Sequence, residues 1–215
     1  MPIERRWLAG TALALGTEAL YKRMLRPRMY TWGTSAGEVA AVLPGDELVA
    51  ATTPRTTRAV TIDAAVEEVW PWLAQIGEDR GGFYSYDWLE RSLGADIHNT
   101  HKIHAEWQEL QVGDPVWMAR RYGPIARQVV VAMEPKSHLV LMSESDSDRL
   151  SRGEKAHGCW AFYLVPHGTQ TRLLARGSGG AVGNAAFDIP HFVMEQKMLR
   201  GIRDRAQGAS GWPAL

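Results

Sequence analysis

Two side chains that could exchange a proton lie four residues apart near the end of the chain, His191 and Glu195. Residues spaced in this way share a face of a helix. Phe192, Met194, Met198, Leu199, Ile202 and Ala206 around them fall on one apolar stripe at the 3.6-residue repeat. An imidazole and a carboxyl on that face must pair with each other or meet a polar ligand, because an unpaired buried charge is strongly unfavourable. In an enzyme, His191 would be a general base, and burial would raise Glu195 towards neutrality, where it could act as an acid. The alternative is structural: His191 follows Pro190 and caps the first turn of the helix, while Glu195 snorkels to solvent.

A second group of candidates runs from Ile76 to His98 and contains Phe83, Tyr84, Tyr86, Asp87 and Trp88. Rings that carry a hydroxyl or an indole N–H combine apolar area with a polar handle, which suits either a cavity wall or a packed core. The spacing predicts a helix over about 84–93, with Tyr84, Trp88 and Arg91 on one side and Tyr86, Leu89 and Leu93 on the other. Apolar bulk on both sides would wedge that helix between two surfaces. Asp87 with Tyr84 could steer protons, and His98 is a further candidate base. His98, His101 and His104 recur every three residues, with Asp96 and Glu106 close by. That spacing drifts around a helix, and no Cys or HExxH frame accompanies it. No metal and no other cofactor is expected. Gly177–Asn184 lacks the Lys and Ser/Thr of a phosphate-binding loop and is expected to be a flexible gate.

The chain of 215 residues carries 24 basic and 24 acidic side chains, so no net field favours nucleic acid as a partner. Its single cysteine, Cys159, sits in an apolar run and is expected to pack as a small hydrophobe. Residues 1–54 are expected to form an N-terminal helix and irregular arm, 55–208 the main domain and 209–215 a tail. The apolar run Trp7–Gly16 follows Glu4-Arg5-Arg6 and is followed by Lys22, Arg23, Arg26 and Arg28. It is too short to span a bilayer and reads as an amphipathic helix or as a signal or anchor segment. A cytoplasmic location or membrane association through this segment both stay open. Ser35 and Glu38 form a capping-box pattern for one short helix in the arm.

Residues 56–62 alternate as a half-buried strand, and a helix is expected after Asp63 as N-cap, distorted at Pro71. Further strands are expected at Val116–Ala119, Gln128–Met133, His138–Met142, Cys159–Val165 and Thr171–Arg176. The polar stretch Ser143–Lys155 is expected to be a long exposed loop. One strand, two helices, a run of strands and a last helix is an α+β order rather than a βαβ repeat.

The segments VTIDAAVEEVWPWLAQI (60–76) and GGFYSYDWLERSL (81–93), the strand Cys159–Val165 and the closing Val193–Leu199 together resemble the SRPBCC superfamily. That group includes the START-related, Bet v 1-like and polyketide cyclase/dehydrase-like proteins. The resemblance covers about Arg55 to Gln207. It implies a helix-grip fold, in which a curved antiparallel sheet wraps round a long C-terminal helix, two short helices close one end and a cavity lies between sheet and helix. Phe83, Tyr84, Tyr86, Asp87, Trp88, Trp160, His191 and Glu195 would then be ligand-binding candidates. The implied partner is a hydrophobic or aromatic small molecule, lipid-like or polyketide-like. The alternative is a cofactor-independent cyclase, dehydratase or hydrolase acting through His191, Glu195 or His98. The architecture hosts both.

Overall fold

The computed structural model of the chain describes residues 20–208. The helix or signal expected at Trp7–Gly16 and the 209–215 tail lie outside them. Six strands form one antiparallel sheet: β1 (Arg55–Ile62), β2 (Pro115–Trp117), β3 (Arg127–Glu134), β4 (His138–Ser143), β5 (Gly158–His167) and β6 (Gln170–Gly179). Their order is β1-β6-β5-β4-β3-β2, so consecutive strands pair as hairpins and β1 returns to β6. A register shift between Val130 and Ala132 bulges β3, which increases local twist. The long helix Ala185–Ala206 closes the chain.

Side chains alternate between the two faces of the sheet, and each face has its own core. Ile62, Leu139, Leu141, Phe162, Leu164 and Leu173 share a buried cluster with Met198, Leu199 and Ile202 of the C-terminal helix. Ala59, Val140, Met142, Ala161, Tyr163 and Leu174 form the second cluster, with Val49 of the arm. β1 is consequently not half-buried, because Thr56 through Val60 are all inaccessible. The arm supplies the cover. Ala59 N donates to Trp32 O at 3.0 Å. Arg176, opposite Thr57, pairs with Asp46 at 2.5 Å and donates to the carbonyls of Glu38, Val39 and Ala41.

Several local expectations are corrected. The helix Val66–Ala74 opens at Ala65 rather than Asp63, because Glu68 Oε2 accepts the Ala65 N–H at 3.0 Å. The aromatic helix is shorter than its periodicity predicts, running only over Asp87–Ser92. Upstream of it, a Gly77–Gly82 bridge and a left-handed Tyr84 (φ 57°) hold the chain in a turn. Ser143–Lys155 is not a loop: Ser143 accepts the Asp146 N–H and caps a helix over Glu144–Ser151, and Asp146 accepts the His157 N–H at 2.7 Å. Of the segment expected to be a gate, Gly177–Gly179 belongs to β6 and the rest forms a turn. Gly179 has φ 65°, and a Cβ there would lie 1.8 Å from His157 O. The C-terminal helix begins at Ala185 under an Asn184 cap, with Pro190 inside it. His191 is therefore past the first turn and caps nothing there.

Candidate functional site

The C-terminal helix lies closely against the aromatic turn. A Cβ at Gly201 would come 2.2 Å from Tyr84 O, so only glycine permits this approach. Ser85 Oγ donates to Met194 O at 2.9 Å and ties the same turn to the helix. Above that contact the helix and the sheet diverge round a cavity of about 520 Å³, lined by 18 residues of which Phe83, Trp160, Phe187, Met194 and Met198 supply apolar wall.

Four of the residues singled out in the sequence meet at this cavity: Phe83, Trp160, His191 and Glu195. Phe83 and Trp160 have ring centroids 6.0 Å apart, and Phe187 stacks on His191 at 4.9 Å. The remaining candidates are elsewhere. Tyr84 is a buried structural group whose hydroxyl donates to Trp72 O at 3.0 Å and accepts from Gln75 Nε2 at 3.1 Å. Tyr86 and Trp88 face outwards, Trp88 with 62 % of its surface exposed, and pack edge to face at 6.5 Å. Asp87 pairs with Arg91 at 2.7 Å on the exposed side of the helix. His98 is exposed and contacts Asp96 at 3.0 Å. His104 contacts Glu106, and its ring lies tilted against Trp107 with centroids 4.1 Å apart.

Glu195 is fully buried yet well supplied with partners. Oε2 accepts from Arg58 Nη1 at 2.6 Å and Oε1 from the Trp160 indole N–H at 2.7 Å. Burial would raise this carboxyl, but His191, Arg58 and the Trp160 N–H outweigh it and hold Glu195 below its ordinary value. The expectation that burial makes Glu195 a neutral acid is thereby overturned. Arg58 comes from β1, 137 residues away in sequence, and is itself inaccessible. Its Nε donates to Met29 O at 2.8 Å, its guanidinium lies over Phe192 at 5.2 Å, and Nη2 has no partner among the described residues.

Arg58 also fixes the tautomer of His191. Arg58 Nη1 lies 3.1 Å from His191 Nδ1. A guanidinium only donates, so Nδ1 must be the bare, accepting nitrogen and the ring proton resides on Nε2. Burial lowers the His191 pKa, with Arg58 adding to that and Glu195 opposing it. The imidazole is therefore neutral at neutral pH. Nε2 is 3.7 Å from Glu195 Oε1, too far for a good hydrogen bond.

One lining residue was missed by the sequence reading. Glu90, on the helix Asp87–Ser92, is only 5 % exposed, and its Oε2 has no hydrogen-bond partner. Burial, together with the nearby Asp87 carboxylate and against Arg91, pushes Glu90 up to about 7. Its neighbours Arg91 and Ser92 are polar and exposed and Asp87 is half-buried, so helical periodicity gave no sign that this carboxyl turns inwards. The available signal was its place three residues before Leu93 and seven after Phe83, both of which reach the cavity.

No family model matches the chain, and no curated protein matches it. Solved structures similar to it include a protein from Nitrosomonas europaea, 10% identical over 78% of this chain and 100% of that one, with a TM-score of 0.48. They also include the Aha1 dimer from Colwellia psychrerythraea, 16% identical over 74% and 99%, TM-score 0.45. A third is CalC, a self-sacrificing resistance protein from Micromonospora echinospora, 10% identical over 74% and 98%, TM-score 0.44. The chain's own strand order and its long closing helix, packed on one face of the sheet with short helices at one end, are the α+β helix-grip fold that the resemblance to the SRPBCC superfamily implies.

Proposed function

We propose that this chain binds an apolar or aromatic small molecule, lipid-like or polyketide-like, in the cavity between the sheet and the C-terminal helix. The observation that carries the reading is the cavity itself. Its volume of about 520 Å³ falls in the range that accommodates small-molecule ligands. Its wall is mainly apolar and aromatic, with a few convergent polar groups. Cavities lined in this way favour apolar occupants, because transfer of apolar surface out of water is worth roughly 25 cal/mol per Å².

An acid–base enzyme acting through Glu195 and His191 has less support. Both Glu195 oxygens are engaged, and the carboxyl is held in its charged form. It cannot donate a proton without breaking the Arg58 pair.

Titration of the native chain with Nile red, a neutral apolar fluorophore, tests the reading. A saturable, blue-shifted complex is expected, and Met194→Trp, which places an indole in the cavity, should abolish it while leaving far-ultraviolet circular dichroism and a cooperative urea transition intact. Binding that survives Met194→Trp, or no binding by the native chain, would sink the proposal.

A further inference from the structure

The cavity wall has an uncompensated acid. Two carboxyls line the cavity, Glu90 and Glu195, and no Lys or Arg does among the described residues. Glu195 is neutralised by Arg58, which does not itself line the cavity. Two other polar lining groups are already engaged: Ser85 Oγ donates to Met194 O, and the Tyr122 hydroxyl donates to Leu93 O. Glu90 Oε2 is buried with nothing to bond to, in the company of Phe83, Leu93, Ala95 and Ile97. An orphaned buried oxygen of this kind is unfavourable until something supplies a hydrogen bond.

Resting on the binding reading above, we propose that the cavity selects apolar or aromatic ligands bearing a protonated amine, with Glu90 as the anchor for the ammonium group. The ammonium would pair with the Glu90 carboxylate at the cavity wall, a desolvated ion pair that is stronger than a neutral hydrogen bond. Phe83, Tyr122, Trp160 and Phe187 line the same space, and aromatic faces attract a cation further. The same charge pattern opposes carboxylate ligands, which would place a third acid beside Glu90 and Glu195.

The groups around Glu90 set the expected pH dependence. Asp87 and Arg91 flank it on its own helix, His191 and Glu195 face the cavity from the C-terminal helix, and Tyr122 comes from the turn Arg120–Ala126. Glu90 is protonated at mildly acid pH, so the amine must displace that proton to bind. Affinity for an amine should therefore rise between about pH 6 and 8, roughly one unit either side of its raised pKa. His191 could contribute a slope of the same sign, since its protonation repels a cation, and loss of the slope on Glu90→Gln separates the two.

The test is displacement of Nile red by octylamine, octanol and octanoate, three probes of one chain length, from the native chain and from Glu90→Gln. Octylamine is expected to be at least about tenfold tighter than octanol at pH 8, with octanoate weakest. Glu90→Gln should bring octylamine and octanol to within about threefold and flatten the pH profile. Equal binding of octylamine and octanol by the native chain overturns the proposal, as does an amine preference that survives Glu90→Gln. Should that variant fail to fold, the pH profiles of the native chain and of His191→Gln decide, and an octylamine affinity that does not rise with pH in both overturns it. Octanol displacing Nile red while octylamine does not would refute the amine anchor alone. Failure of every probe, Nile red included, would refute the cavity reading as well.

Discussion

Replacing Arg58 with Met should expose how much the interior depends on one ion pair. Arg58 Nη1 is 2.6 Å from Glu195 Oε2, and both side chains are inaccessible to solvent. Removing the guanidinium leaves the Glu195 carboxyl buried with only the Trp160 N–H as donor. Breaking a buried pair from one side costs about 3–5 kcal/mol, and for a chain of this size each kcal/mol moves Tm by about 2–4 °C, so a fall of about 6–20 °C is expected by thermal denaturation. In the native chain the Glu195 pKa is depressed below its usual 4.5. Its contribution is thus complete above that value and is lost as pH falls through the depressed one. In Arg58→Met both the ion pair and its hydrogen bond are gone, and burial, the largest influence on this carboxyl, raises it instead against only His191 and the Trp160 N–H. The sign then reverses, and the variant's deficit should grow as pH rises above about 4.5. Arg58→Met/Glu195→Gln, with no buried charge, should regain at least half of the loss, giving a favourable coupling in the double-mutant cycle. A deficit below about 1 kcal/mol, or one that does not change between pH 4.5 and 8, would refute this account of the pair.

Gly201→Ala should destabilise the chain by about 1–3 kcal/mol or more, because the added methyl meets Tyr84 O at 2.2 Å and must push the helix off the aromatic turn; a urea midpoint equal to that of the native chain would contradict the close approach. Gly179→Ala should also lower the urea midpoint, since it combines a φ of 65° with a 1.8 Å approach to His157 O. Asp188→Asn should loosen the arm, because the buried Asp188 carboxylate accepts from the hydroxyls of Tyr21 and Tyr30 at 3.0 and 2.7 Å. Burial and Asp188 together push Tyr21 up to about 12, so hydrogen exchange over residues 20–32 should accelerate in the variant and its tyrosinate absorbance should appear at lower pH. Exchange unchanged in that segment would show the arm to be held by other contacts.

What the sequence determined on its own was mostly local. Short runs bounded by turn residues marked the spans of β3 to β6 to within a few residues, because turn chemistry depends on neighbours along the chain. The Ser35 and Glu38 capping box is present as spacing predicts, and His191 and Glu195 share a helix face because four residues make about one turn. The order of elements sufficed for the α+β class. Tertiary structure decided everything that depends on distant partners. Arg58, 137 residues from Glu195, reads along the chain as one polar member of an alternating strand, yet it pairs with Glu195 and fixes the tautomer of His191. The aromatic segment divided in a way no periodicity could show, with Phe83 at the cavity, Tyr84 in the core and Trp88 in solvent. A left-handed Tyr84 sets that division, and it is stabilised from outside by Asn99 accepting its N–H at 2.6 Å. Glu90 was illegible for the same reason: burial is a property of the surfaces that close over a side chain, and those that enclose this carboxyl come from Phe83, the 93–97 segment and the C-terminal helix, brought together only by the fold.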